Sequence, residues 1–431
     1  MKPVKSDLRR GVTANVLSPA QCEDIHLASL EILERTGMAV EHEGARDLLR
    51  KHGAVVDGER VRVPAGLVKQ ALANAPSRVI LYNRKDLPAV DLGADRSHFG
   101  TGSDTPTWYD PNTGKLKNTD RASVAAVARL CDALPNIDFV MSMGIAKEKP
   151  GTSSFVHQYD AMQEGTAKPI VFTAQGAKDI KPIWDLAVAA AGGDEAMIRI
   201  HPRCLLYTEP ISPMVHTREA LEMLLFAAEK GIPVTYPTGM MAGATGPVTL
   251  AGAIALGNAE TLLGLTILQL AKPGTPYVYG GNVSVMDMRT TLFTYGAPEF
   301  HLAFAAFADL GHWYGLPIWG LAGASDAKVP DAQAAAEAAY EILLARLSGS
   351  NLVHDVGYLN TGLTTSMEQI VLCDEIIGLV NRVVRGVEVN ERTLALDVIH
   401  AVGPRGTFLD QEHTVEQFKR EIWQPGLFER R

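Results

Sequence analysis

Cysteine is scarce in this chain: four in 431 residues, at positions 22, 131, 204 and 373. They form no Cys-x-x-Cys pair and no disulfide framework, which points to a reducing compartment. An excess of basic charge is also missing, with 40 Lys and Arg against 49 Asp and Glu. The resulting net charge of −9 makes nucleic acid or an anionic membrane a poor partner. The start, MKPVKSDLRRGVTANVL, is basic but lacks the apolar stretch of a secretory signal. Residues 231–259 carry no charge, yet Pro233, Pro237 and Pro247 keep them from forming one membrane-spanning helix. The expectation is a cytoplasmic protein that works away from membranes and nucleic acid.

Several loops of cofactor chemistry are absent too. Gly100-Thr101-Gly102 continues with Ser103, Asp104 and Thr105, so the dinucleotide fingerprint fails. No Walker A loop, HExxH or GxSxG occurs, and PNTGKL at 111–116 reads as a turn. Zinc-thiolate chemistry needs grouped ligands, and Cys204 stands alone, so it reads as a buried structural cysteine. His301 and His312, eleven apart, share a helical face and read as core or helix-end residues. Glu368, three after Thr365, reads as part of a capping box.

What the chain has is apolar material, 46% of its residues against 21% charged, arranged in a rhythm. Residues 1–95 read as a small mixed α/β extension. In it Ser18-Pro19 starts a helix that stops at Gly37, further helices span 43–52 and 64–73, and short strands lie near 79–82 and 89–92. From 96 to 431, eight short β-rich runs alternate with eight helical patterns. The runs lie at 98–102, 139–143, 170–174, 204–208, 233–237, 277–281, 318–322 and 352–356. Eight strand-then-helix units predict an α/β fold of the (β/α)₈ TIM-barrel type, with an open doubly wound sheet as the competing architecture. Residues 201–330 hold only 15 charged side chains in 130, as expected for elements buried on several sides. The pattern at 250–271 is apolar nearly all round, which suits either an interface in a homo-oligomer or burial within one chain.

In such a barrel the site is built from the C-terminal ends of the strands. Reading those ends in order gives Asp104, Trp108 and Tyr109 from the first, Gln175 from the third, and Tyr207 and Glu209 from the fourth. Tyr236 follows from the fifth, Tyr279 and Asn282 from the sixth, Trp319 and Asp326 from the seventh, and His354, Asp355 and Tyr358 from the eighth. Aromatic residues are 6% of the chain yet recur here with carboxylates, while Arg and Lys are nearly absent until Arg289 and Lys328. Aromatic faces attract quaternary ammonium, at about 0.5–2 kcal/mol each. A phosphate would instead want Arg, Lys or a glycine-rich loop. A metal-dependent barrel lyase or hydrolase using Asp104, Glu209 and His354 as ligands stays open, as does a non-catalytic quaternary-amine binder.

The stretches FGTGSDTPTWYDPNTG, YTEPISPMVHTREALE, PTGMMAGATGPVTLAG, ASDAKVPDAQAAAEAAYE, NLVHDVGYL and IVLCDEIIG resemble those of the trimethylamine methyltransferase family, from about residue 15 to the end. The resemblance implies a (β/α)₈ barrel that passes a methyl group from an amine to the Co(I) corrinoid (cobalamin) of a partner protein. Archaeal trimethylamine-specific members carry pyrrolysine. This chain has only the twenty standard residues and resembles the non-pyrrolysine branch. That branch implies a quaternary amine, glycine betaine foremost and proline betaine, carnitine or butyrobetaine as variants. No cofactor or metal is then expected on this chain, since the cobalt belongs to the partner. The expected site assigns Asp104, Glu209 and His354 to catalysis, His354 as donor to a betaine carboxylate. Trp108, Tyr109, Tyr207, Tyr236, Tyr279, Asn282, Trp319 and Tyr358 are assigned to substrate binding.

Overall fold

The computed structural model describes residues 11–93 and 96–430. The first ten residues of the basic start lie outside it, and so does Asp95, where the border between extension and barrel was expected. Eight short strands form the centre: β1 (His98–Thr101), β2 (Ile137–Phe139), β3 (Ile170–Phe172), β4 (Cys204–Tyr207), β5 (Val234–Thr235), β6 (Tyr277–Val278), β7 (Trp319–Leu321) and β8 (Leu352–Val356). Each pairs in parallel with the next, the Val140–Ile170 and Tyr279–Ile318 bridges completing two of the seams. Strand β8 returns to β1, so the sheet closes into an eight-stranded barrel and the open-sheet alternative is excluded.

A helix follows every strand: α1 (Arg121–Ala133), α2 (Ser154–Gly165), α3 (Ala177–Ala190), α4 (Arg218–Lys230), α5 (Leu250–Ala271), α6 (Pro298–Tyr314), α7 (Ala332–Ser348) and α8 (Met367–Val384). Side chains of Asp120, Thr217, Asp331 and Ser366 cap four of their N-termini. The cap of α8 is thus Ser366, bonded by the Gln369 amide, one residue later than the expected Thr365–Glu368 box. After α8, short helices at Glu391–Leu394, Leu396–Val402 and Glu412–Glu421 lie on the surface.

The N-terminal residues cover one side and one end of this barrel. Ser18 caps Pro19–Glu31 with a complete capping box to Gln21, and the last turn widens at Ile32–Thr36 before Gly37. Strands Met38–Val40, Val55–Asp57 and Arg60–Arg62, which the sequence reading missed, form a sheet completed by Val215–His216 from the loop after β4. Helices Pro19–Glu31 and Ala65–Asn74 pack on α5. That contact explains why α5 is apolar all round: it lies between the barrel and the N-terminal unit. Although α5 is long and apolar enough to cross a membrane, 83% of its most apolar stretch is buried in this chain. Of the two expectations for this helix, burial within the chain is the one the structure shows.

The hairpin Val79–Tyr82/Pro88–Leu92 plugs the barrel's N-terminal end. Val79, Leu81, Val90 and Leu92 join Phe139, Val171, Leu205, Val278, Trp319 and Leu352 in one apolar cluster inside the strands. Buried at about 1.5–3 kcal/mol per side chain as an upper bound, these four residues make the plug a part of the core.

Candidate active site

With one end plugged by the hairpin, a cavity of about 360 Å³ lies at the strands' C-terminal end. Strand β4 supplies its first wall. The Tyr207 hydroxyl donates to Glu209 Oε2 at 2.6 Å, and Asn282 Nδ2 donates to the Tyr207 oxygen at 3.1 Å. Gly239 faces this carboxylate so closely that a Cβ there would sit 3.0 Å from Glu209 Oε2. Strand β8 supplies the second wall through an irregularity. Its register against β1 shifts between Val353 and Val356, and Asp355 adopts a left-handed φ of 74°. Ordinary alternation would send Asp355 away from His354, whereas this bulge brings both to the cavity. The Tyr295 hydroxyl bonds Asp355, and Tyr358 donates its hydroxyl proton to the Ser103 carbonyl. Gly102 makes room for this arrangement, since a Cβ there would strike Asp355 and Tyr358 within 2.4 Å.

The electrostatics are those of a site waiting for positive charge. Burial pushes the Asp355 carboxyl well above the usual carboxylate range, and repulsion from Glu341 and Glu209 adds to it against the Tyr295 hydrogen bond. Glu209 is exposed to the cavity, and the protein surrounding that cavity desolvates it and raises its pKa. The Tyr207 bond opposes this rise and the charge of Asp104 adds to it. Asp104, also at a left-handed φ of 57°, is raised by burial despite bonds to its carboxylate from Thr173, Ser103 and Ser142 at the ends of β1–β3. No Lys or Arg lines the cavity among the described residues.

His354 does not fit the donor role expected of it. Its Nδ1 lies 2.7 Å from the Gly320 carbonyl, an acceptor, so Nδ1 carries the proton and Nε2 presents a lone pair 3.4 Å from Asp355 Oδ2. Burial holds the ring neutral, its pKa lowered to about 3. A neutral ring with its one N–H committed cannot donate to a substrate carboxylate.

The structure gathers Tyr207, Glu209, Asn282, His354 and Tyr358 around the cavity, with Asp104 next to the lining residue Ser103. Trp319 lies below, fully buried in the barrel's apolar cluster, its ring 4.2 Å from that of His354. Four expected contacts are elsewhere. Tyr236 points outward, stacked on His216 and pressed against Gly264 of α5. Tyr279 also points outward, its hydroxyl 2.7 Å from Asn258 Oδ1 on α5. In both strands the neighbouring residue takes the inward position, since a shift of one residue exchanges the faces. Trp108 and Tyr109 belong to a separate four-stranded sheet made by segments 107–109, 116–118, 358–359 and 364–365, and Tyr109 bonds the Lys328 carbonyl.

Tyr295, Phe293, Phe300 and the Met240–Met241 pair line the cavity and were not anticipated. Phe300 is on the first turn of α6, and the others come from excursions beyond β5 and β6, where Thr238–Ala242 and Gly281–Met286 pair in parallel and Phe293–Thr294 returns antiparallel. The alternation in NVSVM and LFTY around the DMRTT turn is the signal that could have found them. The returning segment is clamped: Asp326 accepts from the Tyr295 and Gly296 amides at 2.8 and 3.0 Å, and His301 bonds the Tyr295 carbonyl at 2.8 Å. His301 is thus a structural residue in contact with the buried Glu341. Among the described residues no three His, Cys, Asp or Glu are grouped to hold a metal, and Asp104, Glu209 and His354 do not form such a set.

A family model described as trimethylamine methyltransferase (MTTB) matches residues 2–431. The trimethylamine methyltransferase MttB of Desulfitobacterium hafniense is 32% identical over 399 residues, covering 92% of this chain and 80% of that protein. The glycine betaine methyltransferase of Desulfitobacterium hafniense strain Y51 is 32% identical over 420 residues, covering 96% of this chain and 87% of that one. Among solved structures, the monomethylamine methyltransferase of Methanosarcina barkeri superposes with a TM-score of 0.51 at 12% identity, over 88% of this chain and 76% of that chain. That last likeness is one of fold.

Proposed function

The chain belongs to the trimethylamine methyltransferase family, and from that premise we propose that it moves a methyl group from a quaternary amine to the Co(I) corrinoid of a partner protein. The observation that carries the substrate class is the cavity wall. Two carboxylates, Glu209 and Asp355, and the rings of Tyr207, Tyr295, Tyr358 and Phe293 meet there with no Lys or Arg among the described residues. A fixed cation offsets the desolvation, and the smaller mutual repulsion, that raise these carboxyl pKa values, and the rings add cation–π attraction. Glycine betaine, named for one relative, carries such a head group and is the reference substrate.

The chemistry asks little of the chain beyond binding and aim. The corrinoid's Co(I), when brought by the partner, supplies the electron pair that takes the methyl carbon. The bond broken is carbon–nitrogen, and its electron pair stays on nitrogen, so the leaving amine is neutral and needs no acid. Glu209 and Asp355 hold the head, Asp104 adds to the field, and the clamped Tyr295 segment restricts the orientations open to it. The barrel floor is closed, so the methyl group can be reached only from the mouth. There Ile211, Val248, Met288, Leu292 and Leu363 stand exposed on the loops after β4, β5, β6 and β8, an apolar rim suited to a protein partner.

A panel of methylated amines supplied with free cob(I)alamin tests this, reading release of the demethylated amine. The expected result is turnover of a quaternary amine and poor turnover of trimethylamine. Efficient turnover of trimethylamine with none of any quaternary amine would overturn it, and binding without demethylation would make the chain a quaternary-amine binder only.

A further inference from the structure

The last 44 described residues, 387–430, form an arm that is folded but has no core. Only Gln417 in it is buried, and its three short helices, Glu391–Leu394, Leu396–Val402 and Glu412–Glu421, are held by polar contacts. Arg382 and Arg385 meet Glu421, Arg392 meets Glu416 and Arg420 meets Glu388. Glu375 of α8 accepts from the amides of Gly426 and Leu427 at 2.8 and 3.0 Å. Exposed pairs of this kind add little stability, and helices of four to ten residues do not stand without a packed face. The side chains that could pack face solvent instead. Of the 27 large apolar side chains exposed among the described residues, eleven lie on this arm, with Val387 at 84% and Leu409 at 85%. The last helix is inverted: Gln417 is buried, while Val415 and Ile422, seven apart and so on one face, are exposed. Together the eleven leave on the order of 1,000 Å² uncovered, which matches the roughly 800 Å² that each partner gives to a stable interface.

We infer that the apolar surface of this arm is covered by a second copy of the same chain. Its place on the barrel favours that occupant. The arm leaves the C-terminal end of α8, and Trp423 returns to crowd Gly378 of α8 beside Asn136, the residue before β2. It is therefore rooted at the floor end of the barrel. A corrinoid protein has to work at the opposite end, where the cavity lies, whereas a copy bound near the floor can stay in place through every turnover. The charges of the arm suit self-association as well. Residues 387–431 carry eight acidic and six basic side chains, so two arms meet with little net repulsion although the whole chain is at −9. In a closed symmetric pair each chain offers the same surface that it receives, so one contact covers both arms.

The test is light scattering on the full chain during gel filtration at micromolar concentration. The mass should be that of at least two chains, against 46.4 kDa for one. Val387→Glu combined with Leu409→Glu alters nothing that a lone chain buries. The double variant should fall to the mass of one chain, or dissociate at least about tenfold more readily, with its circular dichroism unchanged. Hydrogen exchange reads the same contact without a variant. In the unaltered chain the amides of 396–402 and 412–421 should exchange far more slowly than those of short helices facing solvent. Fast exchange there, or a mass of one chain, would overturn the inference. So would an oligomer that keeps its mass in the double variant, because a different surface would then hold it together.

Discussion

Both ends of the barrel enclose carboxylates, and they treat them in opposite ways. At the floor, Asp91 is 3% exposed and receives two hydrogen bonds from Arg78, at 2.8 and 2.7 Å, and another from Arg96. Burial alone would raise its pKa, but the Arg78 bond and the two guanidinium charges more than offset this and the pKa falls below 3.8. At the mouth, Glu209 and Asp355 receive only tyrosine hydroxyls, and their pKa values rise. The same residue type is a structural anion at one end and an unmatched one at the other. An anion matched by arginine has no further use for a cation, whereas an unmatched one does. The barrel thus keeps its stabilising charges away from its chemistry.

Four changes break or sharpen that contrast. The largest concerns Trp319, which fills the lumen between floor and mouth. Trp319→Ala should cost about 3–5 kcal/mol in urea unfolding, because no neighbour can fill the space. Next is Asp91→Asn, which leaves two arginines facing each other at the floor. Because Arg78 is half exposed, the loss should be about 1–3 kcal/mol at neutral pH, with quaternary-amine affinity unchanged. The pH dependence has a definite sign. The contribution of Asp91 is complete above 3.8 and fades as acid takes the pH down through its lowered folded value, so wild type and variant should converge there.

Asp355 behaves in reverse. Below 3.8 both folded and unfolded chains hold its proton, and as pH rises the unfolded chain ionises first and draws the equilibrium toward unfolding. Asp355→Asn should therefore stabilise the protein at neutral pH, by on the order of 1 kcal/mol, while weakening quaternary-amine binding. A destabilised Asp355→Asn with unchanged affinity would place this residue with Asp91 as a structural anion. The smallest effect is expected at the outward-facing Tyr279. Tyr279→Phe loses one hydrogen bond to Asn258, about 0.5–1.5 kcal/mol by thermal unfolding, and should leave ligand affinity as it was.

The barrel itself was legible from spacing, since each strand is a short apolar run and helices such as α4, α6 and α7 stop at Gly231, Gly315 and Gly349, all left-handed. The mouth was legible only in composition. Which of two adjacent residues faces inward depends on register, and Tyr236 and Tyr279 fell on the outer face. A bulge reverses that logic at His354 and Asp355, and no residue in VHDVG announces it. Tyr295 was missed because it enters from a segment that folds back after β6 and is placed by Asp326, 31 positions further on.

The cover over α5 also sets an order of events during synthesis. Helices Pro19–Glu31 and Ala65–Asn74 leave the ribosome early, and their partner α5 is made only after half the chain has emerged. The segment before them waits longer still, because Asn15 and the amides of Val16 and Leu17 are tied to Asp309, which lies 294 residues beyond Asn15. Residues 15–31 therefore precede their partners in synthesis by more than 200 positions and are among the last of the described residues to be seated. Until then both their apolar faces and those of α5 are open to chaperones or to neighbouring nascent chains.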